Sequence, residues 1–201
     1  DPDTRKQIAT FCGVLLQEKG FDGIHLDPEP VASGDMSVLH LLEEVRIAIG
    51  PQAILSMATR RIVPPLLWPK TSWLGGIAWS ADYYRDIAAR VDQIALMTYD
   101  SGLPLAPMYR WFTRQEVIAF TQALERETAE LYIGVPTSEE CTRTHRPWAE
   151  NMVSGLRGVL NGLGDPKSRL ATVTGVAIYP YWETDATEWG FYEKEWLKSR
   201  K

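Results

Sequence analysis

The sequence predicts an α/β protein built on a parallel sheet, and three observations lead to this fold class. Helical and strand patterns alternate along all 201 residues, which is the order of βαβ units. Most of the strand segments are apolar on both faces, as expected for strands that helices cover on both sides. Polar clusters follow several strands, at the positions where parallel α/β proteins place their active sites.

The individual elements follow from hydrophobic spacing and from the residues that end each run. Apolar residues at helical spacing before Gly20 predict the first helix, and a stripe that ends at Gly50 predicts the second. Pro147 predicts the start of the fifth helix, because proline favours the first helical turn. The predicted helices are residues 4–19, 36–49, 81–91, 114–130, 147–163 and 189–198. The predicted strands are residues 21–26, 53–58, 93–99, 131–135 and 172–179.

The composition is that of a globular protein and argues against nucleic acid and membranes as partners. Hydrophobic residues make up 45% and charged residues 23%, an ordinary balance. The formal net charge of -5 provides no attraction to nucleic acid or anionic lipid. No apolar run approaches the ~18 residues of a membrane span. The sequence has only two cysteines, so we expect no disulfide framework. Its three histidines are scattered and it has no H-E-x-x-H motif, so we expect no metal site and no cofactor.

Two architectures fit the alternating pattern, an open doubly wound sheet and a (β/α)₈ barrel. No Gly-rich phosphate loop follows any strand, which disfavours a nucleotide-binding doubly wound domain. In both architectures polar residues gather where strands end and the following loops begin. The candidates there are residues 27–29, 98–100 and 179–182, and the residues alone leave both architectures open.

Several other side chains have both a structural and a functional interpretation. Trp68, Trp73 and Trp79 follow the second strand and are expected either in the core or as flat surfaces that stack on sugars. Arg60 and Arg61 are expected either to be solvated or to form ion pairs with acidic side chains at the sheet edge. His145 is expected either to contact substrate or to cap a helix.

The run DGIHLDPE at residues 22–29 is the most informative chemically. Because side chains alternate along a strand, His25, Asp27 and Glu29 share one face, and Glu29 lies last, where substrate has access. In a close pair of carboxyl groups, repulsion raises the pKa of one of them, which predicts a general acid. A salt-bridged or turn-capping acidic pair explains the same run, since Asp-Pro-Glu-Pro is also turn chemistry.

This run resembles the fourth-strand signature D-G-x-D-x-D-x-E of family 18 glycoside hydrolases. Residues 97–100 (MTYD) are similar to the family's sixth-strand M-x-Y-D, residues 131–136 (LYIGVP) to its seventh strand, and residues 175–179 (GVAIY) to its eighth. The resemblance covers essentially the whole chain. It implies a (β/α)₈ TIM barrel of which residues 1–201 form a partial domain, about units 4 to 8, with about three βα units expected upstream.

The resemblance also implies a reaction, a partner and a set of site residues. Family members use substrate-assisted retaining hydrolysis of β-linked N-acetylglucosamine-containing glycan, an oligosaccharide or polysaccharide, in which the 2-acetamido oxygen attacks the anomeric carbon. By this resemblance Glu29 protonates the leaving oxygen, Asp27 orients the acetamido group, and Tyr99 donates a hydrogen bond to it. The substrate-binding residues that it implies are His25, Met97, Asp100, Tyr179 and Trp182.

Three positions depart from the family's pattern. His25 replaces the middle Asp, which in the family receives the turning Asp27 and balances its charge. Pro28 replaces the usual aromatic residue, and Tyr179 stands where chitinases usually carry the Trp that floors the sugar site. The alternative function is therefore a catalytically inactive glycan-binding relative. A third is another barrel enzyme with an acidic site, such as a sugar lyase or a different glycosidase.

Overall fold

The described residues form one parallel five-stranded sheet with helices between its strands. The computed structural model describes residues 1–62, 78–169 and 173–198. The strands are Gly23–Leu26 (β1), Ile54–Thr59 (β2), Gln93–Leu96 (β3), Glu130–Pro136 (β4) and Val173–Tyr179 (β5). The α-helices are Pro2–Lys19 (α1), Met36–Ile49 (α2), Ala81–Ala88 (α3), Ala106–Ala123 (α4), Met152–Leu163 (α5) and Ala186–Tyr192 (α6). A 3₁₀ turn at Tyr181–Glu183 precedes α6, and a π-helical turn at Glu193–Leu197 follows it.

The strand order decides between the two predicted architectures. Neighbouring strands pair in the order β1-β2-β3-β4-β5, and every pair is parallel. A doubly wound sheet reverses its strand order at a switch point, whereas a βα barrel adds each strand beside the one before it. The sequential order is that of the barrel, so the predicted fold class is confirmed and the sheet corresponds to part of a barrel.

Capping side chains explain where the first helices begin and end. The Asp1 carboxylate accepts hydrogen bonds from the amides of Asp3 and Thr4 at the start of α1, as aspartate does at many helix N-termini. Gly20 ends the same helix with a φ of 67°, a conformation that glycine adopts without steric cost. Asp35 caps α2 in the same way as Asp1 caps α1. The predicted bounds of both helices agree with the structure within two residues.

The predicted bounds of the fourth helix are wrong at both ends. The helix begins at Ala106 rather than at residue 114, with Pro107 in its first turn, a position that proline tolerates because its missing amide would be unpaired there. It ends at Ala123, and Leu124 no longer has helical backbone angles. The residues that follow form a turn into β4. The predicted helix therefore ran seven residues too far, into the turn and the first residue of that strand.

The predicted start of the fifth helix is also wrong. Pro147 lies in a turn, and the helix begins at Met152 because the Asn151 side chain accepts a hydrogen bond from the amide of Ser154 and caps it. This shift matters for the site, because it places Glu150 in the connection between β4 and α5 rather than inside a helix.

The core lies between the sheet and the helices that cover its outer face. Outward side chains of neighbouring strands, such as Leu55, Ile94 and Leu131, are fully buried there. Helix α5 approaches α4 closely through glycine: a Cβ built on Gly162 would lie 2.6 Å from the Cβ of Val117. The same helix packs against the end of β4, since a Cβ built on Gly155 would lie 3.0 Å from a side-chain carbon of Val135.

Trp79 belongs to this core and does not form a surface for sugar stacking. It is 1% exposed, and its indole N–H donates a hydrogen bond to the Val31 carbonyl at 3.1 Å. Trp68 and Trp73 lie outside the described residues. Within the described ranges, no helix combines the length and the apolar character that crossing a bilayer requires.

Candidate active site

Six of the eight predicted site residues meet in one cleft at the carboxyl end of the sheet. The cleft has a volume of about 460 Å³. Its walls come from the ends of four strands and from the connection between β4 and α5, because parallel strands all end at the same edge of a sheet. The lining residues are Asp27, Glu29, Arg60, Arg61, Met97, Tyr99, Asp100, Thr144 and Tyr179.

The two candidate acids follow β1 directly. Ile24 is buried and His25 exposed, so the side chains alternate as predicted, and Asp27 and Glu29 both line the cleft. The Glu29 side chain is 50% exposed, and its Oε1 lies 3.8 Å from Nε of Arg60. An exposed ion pair at this distance contributes little to stability. It does place a positive charge beside the candidate acid.

His25 lies one step below the acids and does not line the cleft. Its Nδ1 is 2.9 Å from the hydroxyl oxygen of Ser56, its neighbour across the β1–β2 pair. Desolvation lowers the pKa of the His25 imidazole below its ordinary value, although the charge of Asp27 acts in the opposite direction. The lowered pKa favours the neutral imidazole, which would not balance the charge of Asp27.

Tyr99 forms the floor of the cleft between two close neighbours. Its ring stacks on the ring of Tyr179, with centroids 5.5 Å apart and planes 16° from parallel. On another side, a Cβ built on Gly134 would lie 3.0 Å from a Tyr99 ring carbon and 2.7 Å from the Leu96 carbonyl oxygen, so only glycine fits there. Burial and then the charge of Asp27 raise the pKa of Tyr99 above its ordinary value. Tyr99 therefore keeps its proton and remains a hydrogen-bond donor.

The loop that carries Tyr99 and Asp100 is held in a special conformation. Asp100 has a φ of 59°, a left-handed conformation in which aspartate and asparagine are enriched among non-glycine residues. The Arg61 guanidinium donates to the Tyr99 carbonyl at 2.6 Å, and the Ser101 amide donates to Oε1 of Glu150 at 3.0 Å. These contacts hold the loop on both sides of Asp100.

Aromatic residues extend the site beyond the cleft. Trp182 does not line the main cleft but lines an adjacent cavity of about 230 Å³, which Tyr99, Asp100 and Tyr179 also line. The Tyr179 and Trp182 rings lie 5.7 Å apart with planes at 81°, and both side chains are more than half exposed. Exposed rings of this kind offer a large apolar face with a polar edge.

Two side chains near the cleft were not predicted from the sequence, and a third had two possible roles. Glu150 and Thr144 both come from the β4–α5 connection; recognition of Asn151 as the helix cap would have placed Glu150 near the cleft. His145 is 4% exposed and does not cap α5. Its Nε2 lies 3.0 Å from the Ser138 carbonyl oxygen, so it is a buried residue behind the cleft.

Comparison with known proteins supports the predicted class of fold. No family model matches the chain. Over 107 residues, 51% of this chain, the sequence is 32% identical to chitinase B from Serratia marcescens, and the match covers 21% of that protein. The chain thus spans about a fifth of the length of this curated relative.

Two solved structures share the fold over most of the chain. A family GH18 chitinase from Chromobacterium violaceum has a TM-score of 0.55 and 15% identity, over 88% of this chain and 55% of that one. A chitinase from Rhizomucor miehei has a TM-score of 0.52 and 13% identity, over 92% and 71% of the two chains. The fold and the partial sequence similarity thus indicate a TIM-barrel-type chain that resembles glycoside hydrolases. More particularly, the resemblance to family 18, the chitinase family, is confirmed.

Proposed function

We propose that this protein hydrolyses β-linked N-acetylglucosamine-containing glycans by substrate-assisted retaining catalysis. The observation that carries this proposal is the meeting of Asp27, Glu29 and Tyr99 in one cleft at the carboxyl end of the sheet. An acid, an orienting carboxylate and a protonated phenol are the three groups that this reaction needs. The similarity of part of the chain to a chitinase supports the class of substrate.

In the proposed first step, Glu29 gives its proton to the glycosidic oxygen as the bond from that oxygen to the anomeric carbon breaks. The carbonyl oxygen of the substrate's 2-acetamido group forms a new bond to the same carbon from the opposite face, which leaves a positive charge on the acetamido group. Asp27 stabilises this charge, and the Tyr99 hydroxyl donates a hydrogen bond to the group. Water, deprotonated by the Glu29 carboxylate, then attacks the anomeric carbon, the bond from that carbon to the acetamido oxygen breaks, and the original configuration is restored.

The replacement of the family's middle Asp by His25 has a specific consequence for this mechanism. A neutral His25, which contacts the Ser56 hydroxyl group, adds no negative charge beside Asp27 and does not neutralise the charge of Asp27. We propose that Asp27 therefore interacts mainly with the substrate's acetamido group and with Tyr99, whose pKa its charge helps to raise.

The test is hydrolysis of a fluorogenic chitobioside or chitotrioside by the full-length protein between roughly pH 4 and 8, a range that covers a shifted general acid. Glu29→Gln removes the proton donor but keeps the side-chain shape, so we expect turnover to be lost while oligosaccharide binding persists. Glu18→Gln, at an exposed position of α1, is the matched control and should behave as wild type. Wild-type turnover by the Glu29→Gln variant would refute the acid role.

One observation favours the alternative, a glycan-binding protein without catalysis. The Arg60–Glu29 ion pair places a cation beside a carboxyl group that must carry a proton in the first step. Calorimetric binding of chito-oligosaccharide by wild-type protein that releases no product over the whole pH range would establish this second function. It would also leave the aromatic residues Tyr179 and Trp182 as the binding surface.

We also propose that further βα units complete the barrel around this chain. Within the described residues, β1 and β5 each pair on one side only, and an open sheet edge is a site for pairing with another strand. A closed, monomeric domain formed by residues 1–201 alone, measured by small-angle scattering and hydrogen exchange, would contradict this proposal.

A further inference from the structure

Asp100, His145 and Glu150 converge where the loop after β3 meets the loop after β4. His145 Nδ1 lies 3.3 Å from Oε2 of Glu150 and 3.8 Å from Oδ1 of Asp100. One donor atom from each residue lies within 4.8 Å of the other two. The side chains of His145 and Glu150 are 5% and 0% exposed, whereas that of Asp100 is 55% exposed. The cluster is therefore closed on the inner side and open toward the cleft.

The surrounding hydrogen bonds turn lone pairs toward the centre of this cluster. His145 Nε2 is 3.0 Å from the Ser138 carbonyl oxygen, which only accepts, so Nε2 carries a proton and Nδ1 is the ring nitrogen that faces the carboxylates. Glu150 accepts hydrogen bonds from the Ser101 amide and hydroxyl through Oε1. Its Oε2 is buried and accepts no hydrogen bond from the described residues. A cation at the centre of this cluster would satisfy these electron-pair donors.

We propose that Asp100, His145 and Glu150 bind a divalent transition-metal cation such as Zn²⁺. Nitrogen and oxygen ligands about 2.0–2.2 Å from a tetrahedral zinc ion lie roughly 3.3 Å from one another. The two His145 contacts, 3.3 and 3.8 Å, are close to that separation. The sequence analysis expected no metal site, because these ligands come from separate loops and share no short motif.

The hydrogen bonds that His145 and Glu150 make outside the cluster are those expected of metal ligands. A histidine that binds a metal through one ring nitrogen usually donates the other N–H to a backbone carbonyl or a carboxylate, and ligating carboxylates are themselves hydrogen-bonded. The contact of His145 with the Ser138 carbonyl and that of Glu150 with Ser101 fulfil both conditions. The adjacent cavity of about 230 Å³ is lined by Asp100 and His145, and provides access for the ion and for a water ligand.

A proton on His145 is the competing way to balance the cluster, and the presence of two carboxylates favours the divalent ion. An imidazolium ion balances only one of two carboxylates, whereas a divalent cation balances both, which matters where Glu150 is fully buried. A bound ion would fasten the Asp100 loop to the β4–α5 connection.

The experiment is isothermal titration of Zn²⁺ into chelator-treated full-length protein without sugar. Asp100→Asn removes a charged ligand at a position whose left-handed backbone asparagine also adopts, so this variant should fold. We expect it to bind Zn²⁺ at least about 10-fold more weakly than wild type, by analogy with the effect of removing outer contacts. His40→Gln, at an exposed position of α2, is the matched control and should bind like wild type.

A second measurement identifies the ligand atom. In ¹⁵N spectra, Zn²⁺ should shift the Nδ1 resonance of His145 and leave that of His40 unchanged. Equal affinity of wild type and the Asp100→Asn variant, no binding by wild type, or an Nδ1 that stays protonated in excess Zn²⁺ would each overturn the proposal. The Glu29→Gln variant should still bind Zn²⁺, so a failure of the metal proposal and a failure of the proposed hydrolysis are distinguished.

Discussion

Glu116 carries a buried carboxyl group whose ionisation we expect to control stability. It lies on α4 and is 0% exposed, and neither carboxyl oxygen accepts a hydrogen bond from the described residues. Burial raises the pKa of Glu116 from 4.5 to about 8; Arg61 opposes this shift and the charge of Glu150 adds to it. We predict that Glu116→Gln, which keeps the shape and removes the titration, stabilises the protein near neutral pH.

The sign and size of this effect follow from proton linkage. Below pH 4.5 the carboxyl group is protonated in both the folded and the unfolded state, so wild type suffers no penalty. As the pH rises toward 8, the unfolded state ionises and the folded state does not, so wild type loses about 1.4 kcal/mol of stability per pH unit. At pH 7 the loss relative to the Glu116→Gln variant is about 3 kcal/mol, or about 6–12 °C in Tm for a chain of this size.

The assay is thermal and urea unfolding of wild type and variant at intervals from about pH 4.5 to 8, in metal-free buffer so that occupancy of the Glu150 cluster does not contribute. The difference in free energy of unfolding should grow with pH. Glu18→Gln, at an exposed position, should show a flat difference. A pH-independent difference for Glu116→Gln would refute the reasoning and show that Glu116 is ionised in the folded state, balanced by Arg61.

Two other predictions concern the cleft. Gly134→Ala places a Cβ 2.7 Å from the Leu96 carbonyl oxygen and 3.0 Å from the Tyr99 ring. We therefore expect the variant to lose about 1–3 kcal/mol of stability in urea unfolding and to turn over chitobioside more slowly. A variant with wild-type stability and turnover would show that Gly134 does not constrain the position of the Tyr99 ring. Arg60→Gln removes the cation 3.8 Å from Glu29, so we expect chitobioside turnover to change; turnover equal to that of wild type at every pH would show that this ion pair does not affect the reaction.

Much of the fold was predictable because helices and strands leave local signals. The first two helices and all five strands agree with their predicted positions within a few residues, since hydrophobic period and terminal residues act over one or two turns. One error lies where a capping side chain determines the start of a helix: Asn151 caps α5, whereas Pro147 was expected to begin it. Proline is compatible with a first helical turn but does not require one, whereas the asparagine side chain satisfies an unpaired amide directly.

The site was predictable in part, through alternation along β1 and through the resemblance of short motifs. These place Asp27, Glu29 and Tyr99 at strand ends, and the structure brings all three together. His25 and Trp182 were expected beside them and lie outside the main cleft. Side-chain reach and loop path decide such details, and neither is encoded in a local pattern.

The sequence by itself determined which segments are strands, which are helices, and which chemical groups stand at the strand ends, because these properties depend on neighbours a few positions away. Only the tertiary structure decided the sequential order of the five strands. It alone also brought Arg60 beside Glu29 and His145 beside Glu150. These contacts join loops that are distant in the sequence, and their distances exist only once the helices have packed against the sheet and directed each loop to its place.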